Sequence, residues 1–227
     1  MSRTGFVCLL SVTAGVCIKM SKNQTASKAG PNGPGFICIE GIDGSGKTTT
    51  ARLLAQALRG TYYKTPPEPF AGIRSIIDRR ATPCARFHFY LASVVFASVE
   101  IERLRAIGPV VCDRYLYSTI AYHIAMDEGL RPPAELPGVA KPDLSVLLVA
   151  EEGVRLRRLR ARHTHQDNCD RRFEGNTAFM SQVLREFRKM GLIEIDTTHL
   201  APTEVVESIL GLIPQSTREA QQPALLS

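Results

Sequence analysis

The sequence contains no tryptophan, and aromatic residues make up only 7% of it. It also lacks any C-x-x-C pair. The six cysteines, Cys8, Cys17, Cys38, Cys84, Cys112 and Cys169, are scattered singly, which argues against a zinc ribbon and against a dithiol redox motif. Cys38 and Cys112 fall inside apolar runs that read as core strands, the usage of reduced, buried thiols in a cytoplasmic protein. No internal repeat is visible. The early apolar run "FVCLLSVTAGVCI" at 6–18 is too short to span a membrane and is followed by no small-x-small cleavage site. It reads as an extension, with Met20 an alternative start, and "SKNQTASKAGPNGPG" at 21–35 reads as a linker.

What is present is ordinary for a folded domain: 44% hydrophobic and 22% charged residues over 227 positions. The net charge of +6 points to anionic partners, which by charge alone include nucleic acid, a membrane surface or phosphorylated small molecules. Three segments are expected: a flexible extension or linker at 1–35, one folded domain at 36–213 and a polar tail at 214–227.

From Phe36 onward, short β-branched runs alternate with amphipathic stretches. Strands are expected at 36–40, 61–64, 109–113, 144–150 and 192–196. Helices are expected at 48–58, 72–79, 85–106, 115–128, 152–162, 174–190 and 202–213. This alternation predicts an α/β fold, a central parallel sheet of about five strands with helices on both faces. The runs at 36 and 109 are almost wholly apolar, as central strands are, and each ends in chemistry that would face the cleft beyond the strand ends.

Directly behind the first strand stands "GIDGSGKTTT" at 41–50. Gly41, Gly46, Lys47 and Thr48 match G-x-x-x-x-G-K-[ST] between a strand and a helix. Glycines let the backbone approach closely, so the amides from Gly41 through Ile42, Asp43, Gly44, Ser45, Gly46, Lys47, Thr48 and Thr49 can cradle ATP phosphates at the positive end of the helix. Lys47 then neutralises the β- and γ-phosphates and the Thr48 hydroxyl reaches Mg²⁺. A P-loop NTPase-type three-layer fold follows.

The second signal is "PVVCDRYLYSTIAYH" at 109–123. Asp113, at a strand end, is placed to organise Mg²⁺ through water, and Arg114 offers a fork for a phosphate. The third is a basic stretch with Arg155, Arg157, Arg158, Arg160, Arg162, Arg171 and Arg172. It has too few acidic partners for a solvated helix face, and no nucleic-acid-binding module surrounds it. It reads as an Arg-rich lid that closes over the γ-phosphate. His163, His165 and Cys169 within it lack a fourth ligand and read as solvated loop rather than a zinc site.

These stretches resemble the thymidylate kinase family of nucleoside monophosphate kinases. The resemblance is carried by "EGIDGSGKTTT", "DRYLYSTIAY", "KPDLSVLLV", "RLRRLRARHTHQDNCDRRFE" and "IDTTHLAPTEVVESIL", in the family's order across 36–213. It implies that Asp43 approaches the acceptor sugar and phosphate, that Arg114 with Arg74 holds the acceptor phosphate, and that Ser118, Thr119 and Tyr122 line the base and sugar pocket. Phe89 falls where the family stacks a phenylalanine on the base. Arg158, Arg162 and Arg171 are the candidate catalytic arginines. The resemblance further implies nucleotide substrates, with no nucleic-acid or membrane partner. The apolar 85–106 helix leaves a homodimer possible.

Two positions depart from the family pattern. Pro67 and Ser93 stand where it usually has arginine. Thymidylate is the acceptor that the resemblance implies. Another pyrimidine or modified nucleotide, a nucleoside with Glu68 as base, or nucleotide binding without transfer remain open at the level of sequence.

Overall fold

The computed structural model describes residues 35–133, 135–161 and 176–213. Arg162, Arg171, the trio His163, His165 and Cys169, residues 1–34 and the tail at 214–227 lie outside the described residues.

The chain runs β1 (Phe36–Gly41), α1 (Lys47–Ala57), β2 (Thr61–Lys64), α2 (Phe70–Arg80), α3 (Pro83–Arg105), β3 (Val110–Asp113), α4 (Leu116–Met126), β4 (Leu144–Val149), α5 (Glu152–Ala161), α6 (Thr177–Arg188), β5 (Ile193–Asp196) and α7 (Pro202–Gly211). The five strands form one sheet in the order β2-β3-β1-β4-β5, and every pairing is parallel. This is the expected architecture, with element ends shifted by one to three residues at most positions.

The alternation of side chains along β1 divides the core in two. Phe36 and Cys38 face a layer built with Val94 and Ala97 of α3, Ala121 of α4, and Met180, Val183 and Phe187 of α6. Ile37 and Ile39 face Ala51 and Leu54 of α1 and Val205, Val206 and Ile209 of α7. Helices therefore cover both faces, which is why the central strands are apolar without interruption. Cys38 and Cys112 are free thiols buried in β1 and β3, and burial pushes both well up from the usual thiol range.

Helix α3 is long and apolar enough, by length and composition, to cross a membrane. Phe87, Val94, Ala97 and Ile101 are instead buried inside the domain. Thr82 caps the helix, accepting a hydrogen bond from the Ala85 amide at 3.3 Å with Pro83 at its first position.

The register sets Ile39 of β1 opposite Asp113 of β3. The loop leaving β1 and the turn leaving β3 therefore lie side by side beyond the carboxyl edge of the sheet, where the ligand crevice of an open parallel sheet is found.

Candidate active site

The loop between β1 and α1 is built on glycine where no other residue fits. A Cβ on Gly41 would lie 2.3 Å from the Leu148 carbonyl oxygen, and one on Gly44, whose φ is +87°, would lie 2.4 Å from Cγ of Arg155. The loop thus packs against β4 below and α5 beside it. Arg155 is itself 2% exposed and donates to the Asp43 carbonyl at 3.2 Å. The first turn of α1 contains no acidic residue, so the positive end of the helix is open to a phosphate. Lys47 folds back over the loop, donating to the Ile42 carbonyl at 2.7 Å and lying 3.6 Å from the Asp43 carboxylate. Burial, reinforced by the Arg114 charge, pushes the Lys47 ammonium down to about 8, against the pull of Asp43, Asp113 and Glu40.

Asp113, 1% exposed, closes β3. One carboxylate oxygen accepts from the Thr48 hydroxyl at 2.6 Å and from the Tyr62 hydroxyl at 3.2 Å. Its other oxygen is buried without a hydrogen-bond partner among the described residues. A buried carboxylate oxygen with an unused lone pair, next to a threonine hydroxyl at a phosphate-binding helix start, fits a hard cation with oxygen ligands.

Arg114 adopts a left-handed backbone with φ of 68°, an uncommon conformation for a non-glycine residue. The turn is pinned on both sides: its amide donates to the Ile39 carbonyl at 3.0 Å and its carbonyl accepts from the Thr65 hydroxyl at 3.0 Å. The side chain is thereby aimed back across β1. Its guanidinium pairs with the Asp43 carboxylate, donates to Ser118 Oγ at 3.3 Å and lies 5.4 Å over the Tyr122 ring.

Beneath it, Glu40 is wholly buried at the end of β1. It accepts from the amides of Tyr115 at 2.8 Å and Ser118 at 3.2 Å, and from the Ser118 hydroxyl. Burial raises its carboxyl above the usual range, against the lowering effect of those bonds and of Arg114. Glu40 thus caps the start of α4 from a different strand and fixes where Arg114 and Ser118 stand.

From Asp43 and Arg114 a pocket runs between α2, α3 and α4, past Ser118, Thr119 and Tyr122, to Arg74, Tyr90 and His123. At its far end, Arg74 donates to the Tyr90 hydroxyl at 2.8 Å, and that hydroxyl donates to Asp78 at 3.0 Å. Asp78 also pairs with Arg74 at 3.4 Å and Arg86 at 3.2 Å.

Three residues expected at the site make other contacts in this structure. Phe89 does not line the pocket; it packs on Phe70, with ring centroids 5.5 Å apart, and the neighbouring Tyr90 faces the pocket instead. Glu68 is also absent from the lining, because its carboxylate accepts from the Gly72 amide at 3.1 Å and caps the first turn of α2. Arg158 is engaged behind the loop. It donates to the hydroxyl and carbonyl of Thr197 at 3.0 and 2.6 Å, and Thr197 in turn donates to the Ser45 carbonyl at 3.0 Å, so Arg158 braces the back of the loop. Ser93 turns its hydroxyl onto the Tyr90 carbonyl at 2.7 Å. The cations lining the pocket beside Arg114 are Arg74 and Arg86. Sequence reasoning missed Tyr62, Asp78, Arg86, Tyr90 and His123, and counted Arg155 in the lid rather than beneath the loop. The only signal for Arg86 was its seven-residue spacing from Ser93, two turns along one helix.

The family model described as thymidylate kinase matches residues 39–209. The human mitochondrial UMP-CMP kinase 2 is 32% identical over 195 residues, covering 81% of this chain, which spans only 43% of the human protein's length. A probable thymidylate kinase of Methanocaldococcus jannaschii is 30% identical over 192 residues, covering 78% of this chain and 95% of its own. The solved thymidylate kinase of Candida albicans shares the fold, with a TM-score of 0.65 at 22% identity, over 84% of this chain and 95% of its own. With its phosphate loop, its Asp113-Arg114 turn and its acceptor-side pocket within the matched span, the chain belongs to the thymidylate kinase family.

Proposed function

We propose that the protein transfers the γ-phosphoryl group of ATP to the 5′-phosphate of a nucleoside monophosphate, with thymidylate the acceptor to which family membership points. The observation that carries this is the junction at Asp43. Its carboxylate touches Lys47 of the donor loop and Arg114 at the mouth of the pocket, so a donor and an acceptor phosphate would meet there.

In the reaction, the loop amides and Lys47 hold the β- and γ-phosphates of ATP. Thr48 and Asp113 would hold Mg²⁺, which would supply positive charge against the charge that develops on the phosphates. Arg114 and Arg74 orient the acceptor phosphate. An oxygen of that phosphate attacks the γ-phosphorus as the bond to the β-bridging oxygen breaks, giving ADP and the nucleoside diphosphate. The acceptor is already ionised, so no general base is needed and catalysis rests on positioning and charge stabilisation. Arg162 and Arg171 are retained as lid candidates by the family resemblance.

A second acceptor class is favoured by a specific observation. The human relative named UMP-CMP kinase 2 is among the most similar proteins, and Ser93 is turned away from the pocket onto its own helix. A uridylate or cytidylate acceptor is therefore included in the test. ADP release from Mg-ATP is measured with thymidylate, deoxyuridylate, uridylate, cytidylate, deoxycytidylate and the matching nucleosides. Turnover with one or more monophosphates supports the proposal and names the acceptor. Turnover with nucleosides alone, or ATP binding without acceptor-dependent ADP release, overturns it.

A further inference from the structure

We infer that His123 is a specificity-determining residue of the acceptor pocket, its Nε2 accepting a hydrogen bond from an N–H on the edge of a pyrimidine base; this rests on the nucleoside monophosphate kinase function proposed above. His123 sits on α4, one turn beyond Thr119, and lines the end of the pocket away from Arg114. It is 3% exposed. Its Nδ1 lies 2.7 Å from the Thr119 carbonyl. A carbonyl only accepts, so Nδ1 carries the proton and Nε2 is left as a lone-pair acceptor. That Nε2 is buried with no hydrogen-bond partner among the described residues.

A native interior rarely leaves such an atom unpaired without a reason. The imidazole is neutral: burial pushes it down to about 4, and the Arg86 charge adds to the effect against the Thr119 bond and Asp78. The ring is held edge-on to Phe87 and tilted against Tyr90, with centroids 5.7 and 5.3 Å away. It cannot swing to find another partner without breaking that packing. The other side chains at this end, Arg86 and Met126, are long and unbranched, so an entering planar ring displaces side chains rather than backbone. Asp78 holds Arg86 by an ion pair, and the Arg86 charge acts on the imidazole, so the pocket lining carries a donor as well as the Nε2 acceptor. A pyrimidine edge presents the complement, a ring or exocyclic N–H beside a carbonyl or ring-nitrogen acceptor. In thymine and uracil the donor is N3–H; in cytosine it is the 4-amino group.

The test is a binding cycle by calorimetry, which does not depend on turnover. It pairs thymidylate with N3-methyl-thymidylate, and deoxycytidylate with N4,N4-dimethyl-deoxycytidylate, each against the native protein, His123→Phe and His123→Gln. The native protein is expected to bind at least one parent about tenfold or more tightly than its methylated partner. His123→Phe, which keeps a ring but no acceptor, is expected to bring that ratio close to one. His123→Gln, which restores an acceptor of similar reach, is expected to recover part of it and to serve if the phenylalanine variant does not fold. The pair that responds distinguishes an imide from an amino donor. A ratio unchanged in His123→Phe for both pairs, or no discrimination by the native protein, overturns the inference while leaving the kinase function intact. Failure of the native protein to bind any of the four nucleotides also overturns the inference, and the ADP-release panel decides the kinase function separately.

Discussion

Thr48 and Asp113 are 65 residues apart in sequence, yet the hydroxyl of one lies 2.6 Å from the carboxylate of the other. The first turn of α1 and the end of β3 are joined there by a single hydrogen bond. Tyr62, from β2, completes the contact at 3.2 Å, with Arg52 lying 4.5 Å over its ring. Asp113→Asn keeps the shape but loses the charge. It is expected to lower kcat by roughly 10²–10³-fold and to raise the Mg²⁺ concentration needed for half-maximal rate. Steady-state rates over a magnesium titration check this; a variant with an unaltered magnesium dependence would remove Asp113 from the metal site.

Lys47 should cost stability. Its folded value of about 8 is below the ordinary 10.5, so between these values the folded chain binds fewer protons than the unfolded one. Stability from this group therefore rises with pH through that window, and the full penalty is present below pH 8. Lys47→Met is expected to stabilise the nucleotide-free protein by about 1–3 kcal/mol while abolishing transfer. Thermal unfolding at pH 7 checks it, and a lowered Tm would contradict it.

Glu40 separates two substitutions. Glu40→Gln keeps one carbonyl oxygen for the amides of Tyr115 and Ser118, and the Ser118 hydroxyl can turn to accept from the new amide. A change of within about 1 kcal/mol is expected. Glu40→Ala leaves two buried N–H groups unpaired and is expected to cost about 2–4 kcal/mol. It should also raise the acceptor KM more than the ATP KM, because Arg114 and Ser118 lose their anchor. Urea unfolding and two-substrate kinetics distinguish these outcomes.

Acid should destabilise the fold through His123. Arg86 of α3 and Asp78 of α2 act on it with opposite signs, and Thr119 bonds it within α4. Its folded value near 4 lies below the ordinary 6.5, so the unfolded chain takes up the proton first. Stability is expected to fall by up to about 3 kcal/mol as pH drops from 6.5 to 4. His123→Gln should flatten that slope, and an equal slope in both proteins would contradict the assignment.

The sheet and the phosphate loop were legible because each rests on a local rule. Continuous apolar runs mark the central strands, and glycine spacing between a strand and a helix marks the cradle. The acceptor pocket was legible only in part. Helix α3 is apolar on more than one face, so its periodicity did not say whether Phe89 or Tyr90 looks into the cleft. Glu68 was named as the candidate base that a nucleoside acceptor would require, but its carboxylate accepts from the amide four residues on and caps the first turn of α2. The arginines of α5 were counted correctly, yet density carries no direction. Arg155 goes under the loop and Arg158 behind it, towards Thr197, just beyond the end of β5. Asp78 and Arg86 depend on the approach of α2 to α3, which no short motif encodes.

Asp43 stands between Lys47 and Arg114 as a counter-ion shared by two sites. In the language of linkage, whichever phosphate arrives first must displace this internal anion from one cation, and it leaves the carboxylate to settle on the other. The second ligand then meets an already rearranged switch. The two affinities are coupled by one free energy, equal in both directions. Thymidylate affinity measured with and without a non-hydrolysable ATP analogue should therefore differ by a factor that Asp43→Asn brings towards one. An unchanged factor in that variant would place the communication elsewhere.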